Sequence, residues 1–368
     1  MIAALAEFRD RLLGRGAASI SVPVFDGALK SNRLIEDAPV VATLEAPEDI
    51  ASDGRALFVA DGVRLLRLDA DGAPHELRRF ERPLSALACL GDGAFAVALD
   101  GREVRIVGGA HDGRRWSDAG GQPLVAVNSI GLAPEGKLLV TDGSRERPHA
   151  EWKRDLMSLG RSGRVIELSP ADGAARVLAS DLGYAFGACS VAGGVWASES
   201  WRHRVVRLDP ASGRREAVTD ALPGYPSRLV PAAGGGVWLT CFALRTQLVE
   251  FVLREHRYRR RMLAEIDPAY WIAPALNSGN TFLEPMQGAQ LKMMGIVKPW
   301  APPRSYGLVV RLTDDGLVRY SLHSRYDGRN HGVTAAAECG GQLYLLAKGR
   351  NRVLRIDVAQ AEQSLSAS

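Results

Sequence analysis

The chain has 368 residues, 46% hydrophobic and 24% charged, enough apolar material to bury a large core and unlike the composition of a disordered segment. Its 46 basic and 42 acidic side chains leave a net charge of +4, too slight to act as an electrostatic footprint for nucleic acid. No stretch approaches the ~20 consecutive apolar residues of a membrane span, so neither a nucleic-acid nor a membrane partner is expected.

At the N-terminus, MIAALAEFRDRLLGRG carries Glu7, Arg9, Asp10 and Arg11 where a secretory signal would need an unbroken apolar run. This predicts a short amphipathic helix, with residues 1–38 as helix and lead-in, and a soluble, cytoplasmic protein.

From residue 39 one phrase recurs: a tight Gly turn, an apolar strand, a polar loop and a second strand. It reads SDGRALFVADGVRLLRLDADG from Ser52, GDGAFAVALDGREVRIVGG from Gly91 and PEGKLLVTDG from Pro134. It returns as AGGVWASESWRHRVVRLDPASG from Ala192, GGGVWLTCF from Gly234 and GGQLYLLAKGRNRVLRIDV from Gly340. Short β-rich segments bounded by Gly, Asp and Pro fit four-stranded antiparallel blades, so residues 39–358 are expected to form an all-β, six-bladed β-propeller.

Two segments exceed the repeat. Residues 144–162 lie inside the third blade, and residues 251–305 divide the fifth. The six prolines between Pro268 and Pro303 argue against long regular structure in the second insert. Its run from Arg254 to Arg261 reads as a solvated face. Residues 359–368 read as a flexible tail. Cys89, Cys189, Cys241 and Cys339 lie in or beside apolar runs without CxxC spacing, which points to free thiols rather than disulfides or a zinc site.

In a blade the innermost strand runs down the channel wall, turns at the Gly phrase, and the second strand climbs back. Two groups of residues therefore meet at one mouth. One comprises positions about eight before each turn: Glu48, Asn128, Phe186, Arg228 and the stretch His331 to Thr334. The other comprises the loops after the second strands: Asp142 to His149, Glu199 to His203, Arg245 and Lys348 to Arg350.

VNSIGLAPEGKLLVTDGS, ESWRHRVVRLDPASG, DALPGYPSRL and VTAAAECGGQLYL resemble the corresponding segments of strictosidine synthase-like proteins and, more distantly, gluconolactonases and paraoxonases. The resemblance runs from about Pro39 to Asp357. It implies a six-bladed propeller with a divalent metal, usually calcium, on the channel axis in the hydrolytic relatives. Glu48 and Asn128 occupy two of the four expected ligand positions. Phe186 and Arg228 stand at the other two, where one offers no oxygen and the other brings a cation. This departure counts against a bound calcium, and the polarising group is expected to be either a residual metal at Glu48 and Asn128 or the Arg228 guanidinium, which could fill the metal's electrostatic role toward a carboxylate, phosphate or polarised carbonyl. The family's condensing Glu is matched here by Thr334, with Glu338 four residues later, which argues against Pictet-Spengler condensation.

His331 and His149 are the candidate general bases, with Asp142 as an orienting group or a loop stabiliser. Glu199, Trp201, Tyr225, Phe186, Arg228 and Thr334 are the candidate substrate contacts, and Trp271 and Trp300 could extend an aromatic wall. Structural roles compete at each position. No GxSxG elbow, HExxH helix, Walker loop or strand-linked GxGxxG is present. The leading expectation is a hydrolase opening a lactone or ester at the channel mouth. A non-catalytic propeller binding a small acidic metabolite or a protein, and a metal-independent lyase or condensing enzyme, stay open.

Overall fold

A computed structural model describes residues 22–210, 212–280, 283–284, 292–293, 296–297 and 305–366. The expected N-terminal helix and Trp300 lie outside the described residues, as do Pro285, Pro299, Pro302 and Pro303.

Six four-stranded antiparallel sheets form the blades of a propeller. Their innermost strands are Pro47–Ser52, Leu84–Gly91, Val127–Leu132, Ala185–Val191, Gly224–Pro231 and Val333–Cys339. The outer strand of blade 6 is Val40–Thr43, from the start of the described chain, and it pairs antiparallel with Arg352–Asp357. Ring closure thus rests on backbone hydrogen bonds between the two ends, and the first and last blades become neighbours.

Small residues let the inner strands converge. A Cβ on Gly187 would lie 2.6 Å from Arg228 Cα and 2.7 Å from Ser227 O, so blade 4 approaches blade 5 there only because position 187 has no side chain. Farther out, Trp196 and Trp238 are fully buried between blades. Glu338 accepts hydrogen bonds from Trp238 Nε1 (2.9 Å) and from the amide of Ala233 (3.1 Å), tying blade 6 to the turn of blade 5.

One irregularity repeats sixfold. The ladder between the first two strands slips between Pro47 and Asp49, Leu84 and Ala86, Val127 and Ser129, Ala185 and Gly187, Pro226 and Leu229, and Val333 and Ala335. Such bulges take a residue out of the ladder and re-aim its side chain. They free Glu48, Ser85, Asn128, Phe186, the Ser227–Arg228 pair and Thr334, all at the same end of the channel.

The described parts of both inserts lie at that end. Residues 144–162 hold the short helix Trp152–Met157. The blade 5 insert opens after Leu244 rather than near 251, and carries helices Gln247–Arg254 and His256–Glu265 ahead of Pro268. Thr246 caps the first of these, its hydroxyl accepting from the Val249 amide at 3.2 Å. The expected flexible tail is instead a helix, Val358–Ser366, started by Asp357 accepting from the Gln360 amide at 2.9 Å and seated on blade 6 through buried Ala361. No helix among the described residues is long and apolar enough to cross a membrane.

Candidate functional site at the channel mouth

The channel axis is filled by Arg228. Its side chain reaches from blade 5 across the centre, where Nη1 donates to Thr334 O of blade 6 and Nη2 to Ser85 O of blade 2, each at 3.2 Å. Nε lies 3.0 Å from Asp49 Oδ1 of blade 1, an ion pair whose angle leaves the Nε–H without a hydrogen-bond partner. Phe186 of blade 4 covers the guanidinium with its ring, at 5.4 Å from Cζ. Asp49 also accepts from the amides of Ile50 and Leu87, each at 2.9 Å. Burial pushes its carboxyl up to about 6, with Arg228 and those two amides pulling the other way.

Above this plug sits a second, more open group. Lys348, on the loop after the second strand of blade 6, donates to Glu48 of blade 1. Burial alone would raise the Glu48 carboxyl, but Lys348, His149 and Arg228 overcome it and hold the group below its ordinary range. His149, half-buried on the blade 3 insert, is set against Gly101, where a Cβ would lie 3.1 Å from Nδ1. Gly101 has φ +67, so a glycine both relieves the backbone and clears the space. Nδ1 is enclosed without a partner, and Nε2 makes no hydrogen bond among the described residues. Burial first, and then the Lys348 and Arg228 charges, lower the imidazole pKa, while Glu48 and Asp100 oppose them.

An aromatic wall flanks these groups on blades 3 to 5. Trp201 stacks on Tyr184 (4.5 Å between centroids, 29°), and Phe186, Trp152 and Phe242 surround them at 5.7–6.4 Å. Trp201 Nε1 donates to buried Asp155 at 2.7 Å. Tyr184 has φ +61, a costly conformation for an aromatic residue, and stays there because its ring is sandwiched and its hydroxyl meets Asn128. The insert roofs the wall through Val252 and Met262 of its helices and Trp271 beyond them, which pack with Leu156 and Met157 of the blade 3 insert.

Several expected site residues lie elsewhere or are already committed. His331 is buried with both nitrogens engaged, Nδ1 with Ser305 Oγ at 2.8 Å and Nε2 with Arg325 O at 2.7 Å, so it has no free nitrogen to take a proton. Asp142 does not orient a histidine: its carboxylate pairs with Arg164 at 2.6 Å and accepts from the Ala126 amide at 2.7 Å. Glu199 is turned inward to the Gly183 amide (2.8 Å) and Arg204 (2.7 Å), holding its loop. Tyr225 is fully buried beneath Trp201, its hydroxyl without a partner. Thr334 reaches the axis, but its Oγ1 is buried and unpartnered and its carbonyl serves Arg228.

Sequence reasoning missed Asp49, Ser85, Lys348 as the partner of Glu48, and Tyr184. The bulge rule would have found Ser85, the blade 2 counterpart of Glu48.

The donor set does not suit calcium, which takes about six to eight oxygen ligands. Asn128 Oδ1 already accepts from Thr141 Oγ1 at 2.6 Å and its amide nitrogen donates to Ala185 O at 3.0 Å. Glu48 is paired with Lys348, Phe186 presents carbon, and a guanidinium fills the axis. Among the described residues no group of three or more His, Cys, Asp or Glu is gathered as a metal cluster.

No family model matches the chain. The adipocyte plasma membrane-associated protein of Salmo salar is 25% identical over 232 residues, 61% of this chain and 50% of that protein, so the chain matches only half of the salmon protein's length. The Mus musculus protein of the same name is 23% identical over 356 residues, 88% of this chain and 78% of that one. Among solved structures, a gluconolactonase from Xanthomonas campestris superposes with a TM-score of 0.55 at 15% identity, covering 92% of this chain and 95% of its own. The calcium-binding protein regucalcin from Agrobacterium tumefaciens superposes at 0.52 and 13%, covering 87% and 92%. The chain is a six-bladed β-propeller with gluconolactonase-like and regucalcin-like structural neighbours. At these identities the likeness establishes the fold alone.

Proposed function

We propose that the protein is a small-molecule hydrolase of the lactone- or ester-opening type, related to the strictosidine synthase-like propellers and working at the mouth between blades 1, 3 and 6. The observation that carries this reading is His149. It is the mouth histidine with neither nitrogen bonded among the described residues, set among Glu48, Lys348 and Arg228.

Burial keeps its imidazole neutral near pH 7, the state a general base needs. With Nδ1 enclosed against Gly101, Nε2 takes a proton from water as that water attacks the ligand carbonyl. The oxyanion forms in the field of the Lys348 ammonium and the fixed Arg228 guanidinium. As the tetrahedral centre collapses, the C–O bond to the leaving alkoxide breaks and the imidazolium returns the proton to that oxygen. Glu48 holds Lys348 in place and supports the imidazolium during the step. The part-buried Trp201 and Phe186 rings, backed by buried Tyr184, offer an apolar face to the rest of the ligand.

Turnover of a panel of lactones and aryl esters by the wild type and by His149→Gln tests the reading, expecting hydrolysis that the variant loses. No turnover of any member, or full activity in His149→Gln, sinks it. A binding-only role gains support from the engagement of Arg228 and Asn128 with protein partners. It predicts ligands that raise Tm without being consumed.

A further inference from the structure

Phe186 and Arg228, read singly, are two lost metal positions; in the structure they are one unit. The Arg228 guanidinium lies where three oxygens from three blades converge: Asp49 Oδ1 of blade 1, Ser85 O of blade 2 and Thr334 O of blade 6. The Phe186 ring of blade 4 closes the remaining side. An aromatic face is useless to a hard divalent ion and suits a delocalised, weakly hydrated cation. Each departure therefore makes sense only with the other. Arg228 and Asp49 are both more than nine-tenths buried, so neither charge has water to compensate it, and each depends on its partner.

We infer that Arg228 is the propeller's own axial cation, built from the chain: paired with Asp49 and capped by Phe186, it supplies the positive charge and the ties between blades that a divalent metal would otherwise supply, and this propeller needs no calcium to hold its hub together. The inference concerns the hub and stands whether or not the mouth is a hydrolase.

Thermal unfolding of the purified full chain in excess EGTA and in millimolar CaCl2 is the first test. Coincident curves are expected, and a Tm raised by calcium or lowered by EGTA by several degrees overturns the proposal. Arg228→Met should lower Tm by about 5 °C or more, because it strands the Asp49 carboxylate. An unchanged Tm overturns the proposal. In the cycle with Asp49→Asn, the double variant should lose clearly less than the sum of the two single losses. Strict additivity means that the two groups do not act as a pair and overturns the proposal. Should Arg228→Met fail to fold, the wild-type metal titration still decides, and Arg228→Lys, which keeps the charge but not the planar fork or its stacking, should fold with a lowered Tm. Arg228→Lys as stable as the wild type overturns the proposal.

Discussion

Two clusters of charge share the channel, one on its axis and one at its mouth, and they differ in how far their charges are paired. On the axis, Arg228 and Asp49 find partners in blades 1, 2 and 6, and a ring covers them. At the mouth, Glu48 and Lys348 pair with each other, while both His149 nitrogens are left unbonded among the described residues. A buried network whose charges are paired serves architecture, even with Arg228 Nε–H and Thr334 Oγ1 left without hydrogen-bond partners among the described residues, since an unpaired buried charge costs free energy without return. An unmet group at an opening has a use only when something arrives to meet it. The two histidines of the original expectation divide along the same line: His331 is locked on both sides and His149 on neither.

Substitutions can break that division. The largest effect is expected from His149→Gln, with kcat on a responsive lactone falling about 10²–10⁴-fold while Tm stays close to wild type. A loss in Tm matching the loss in activity would move His149 to the architectural side. Arg164→Met should do the reverse. It leaves Asp142 buried and unpaired, so stability should fall by roughly 3–5 kcal/mol in denaturant titrations, with turnover per folded molecule unchanged.

Glu250 sharpens the comparison at the roof. It lies 3.3 Å from His203 and 3.2 Å from Arg245, clamping the insert helix to the blade 4 loop. Burial opposes its ionisation, but His203 and Arg245 hold its carboxyl down at about 2. A lowered folded-state pKa contributes stability above the unfolded value near 4.5, and loses it as pH falls from there toward 2. Glu250→Gln should therefore cost about 1–3 kcal/mol at pH 7, and the gap should close on acidification.

The smallest effects are shifts in the pH profile. The acid limb of kcat/KM should lie below 6.5, because burial lowers His149. Glu48 raises that pKa and Lys348 lowers it, so Glu48→Gln should move the limb to lower pH and Lys348→Met to higher pH. Shifts of the same sign would show that the limb does not report His149.

The repeat exposed the propeller because a blade is written locally: glycine turns and alternating strands recur at each copy, and pairing follows from adjacency. Counting back from each turn also located Glu48, Asn128, Phe186 and Arg228 at the mouth end, since the bulge falls at nearly the same place in every inner strand. What each side chain does there was not local information. Asp49 of blade 1 meets Arg228 of blade 5, and Lys348 meets Glu48 across 300 positions of chain. Position in a blade fixes where a residue starts, and only the assembled ring decides what it touches. His331 shows the same limit: it stands just ahead of the last inner strand, Val333–Cys339, and Ser305 and Arg325 engage both its nitrogens. Tyr184 left no signal, because its positive φ is imposed by the stack around it.

Strand Val40–Thr43 joins the last blade to the first, and the Glu48–Lys348 pair straddles that seam. The ammonium arrives on one side of the joint and its carboxylate on the other. A chain with an unzipped seam could retain five blades, much of its aromatic wall and His149, yet Lys348 would have no counter-charge and no fixed position. The seam thus sets the charge at the mouth as well as the shape of the ring: Glu48 and Lys348 face each other only where the first and last blades adjoin.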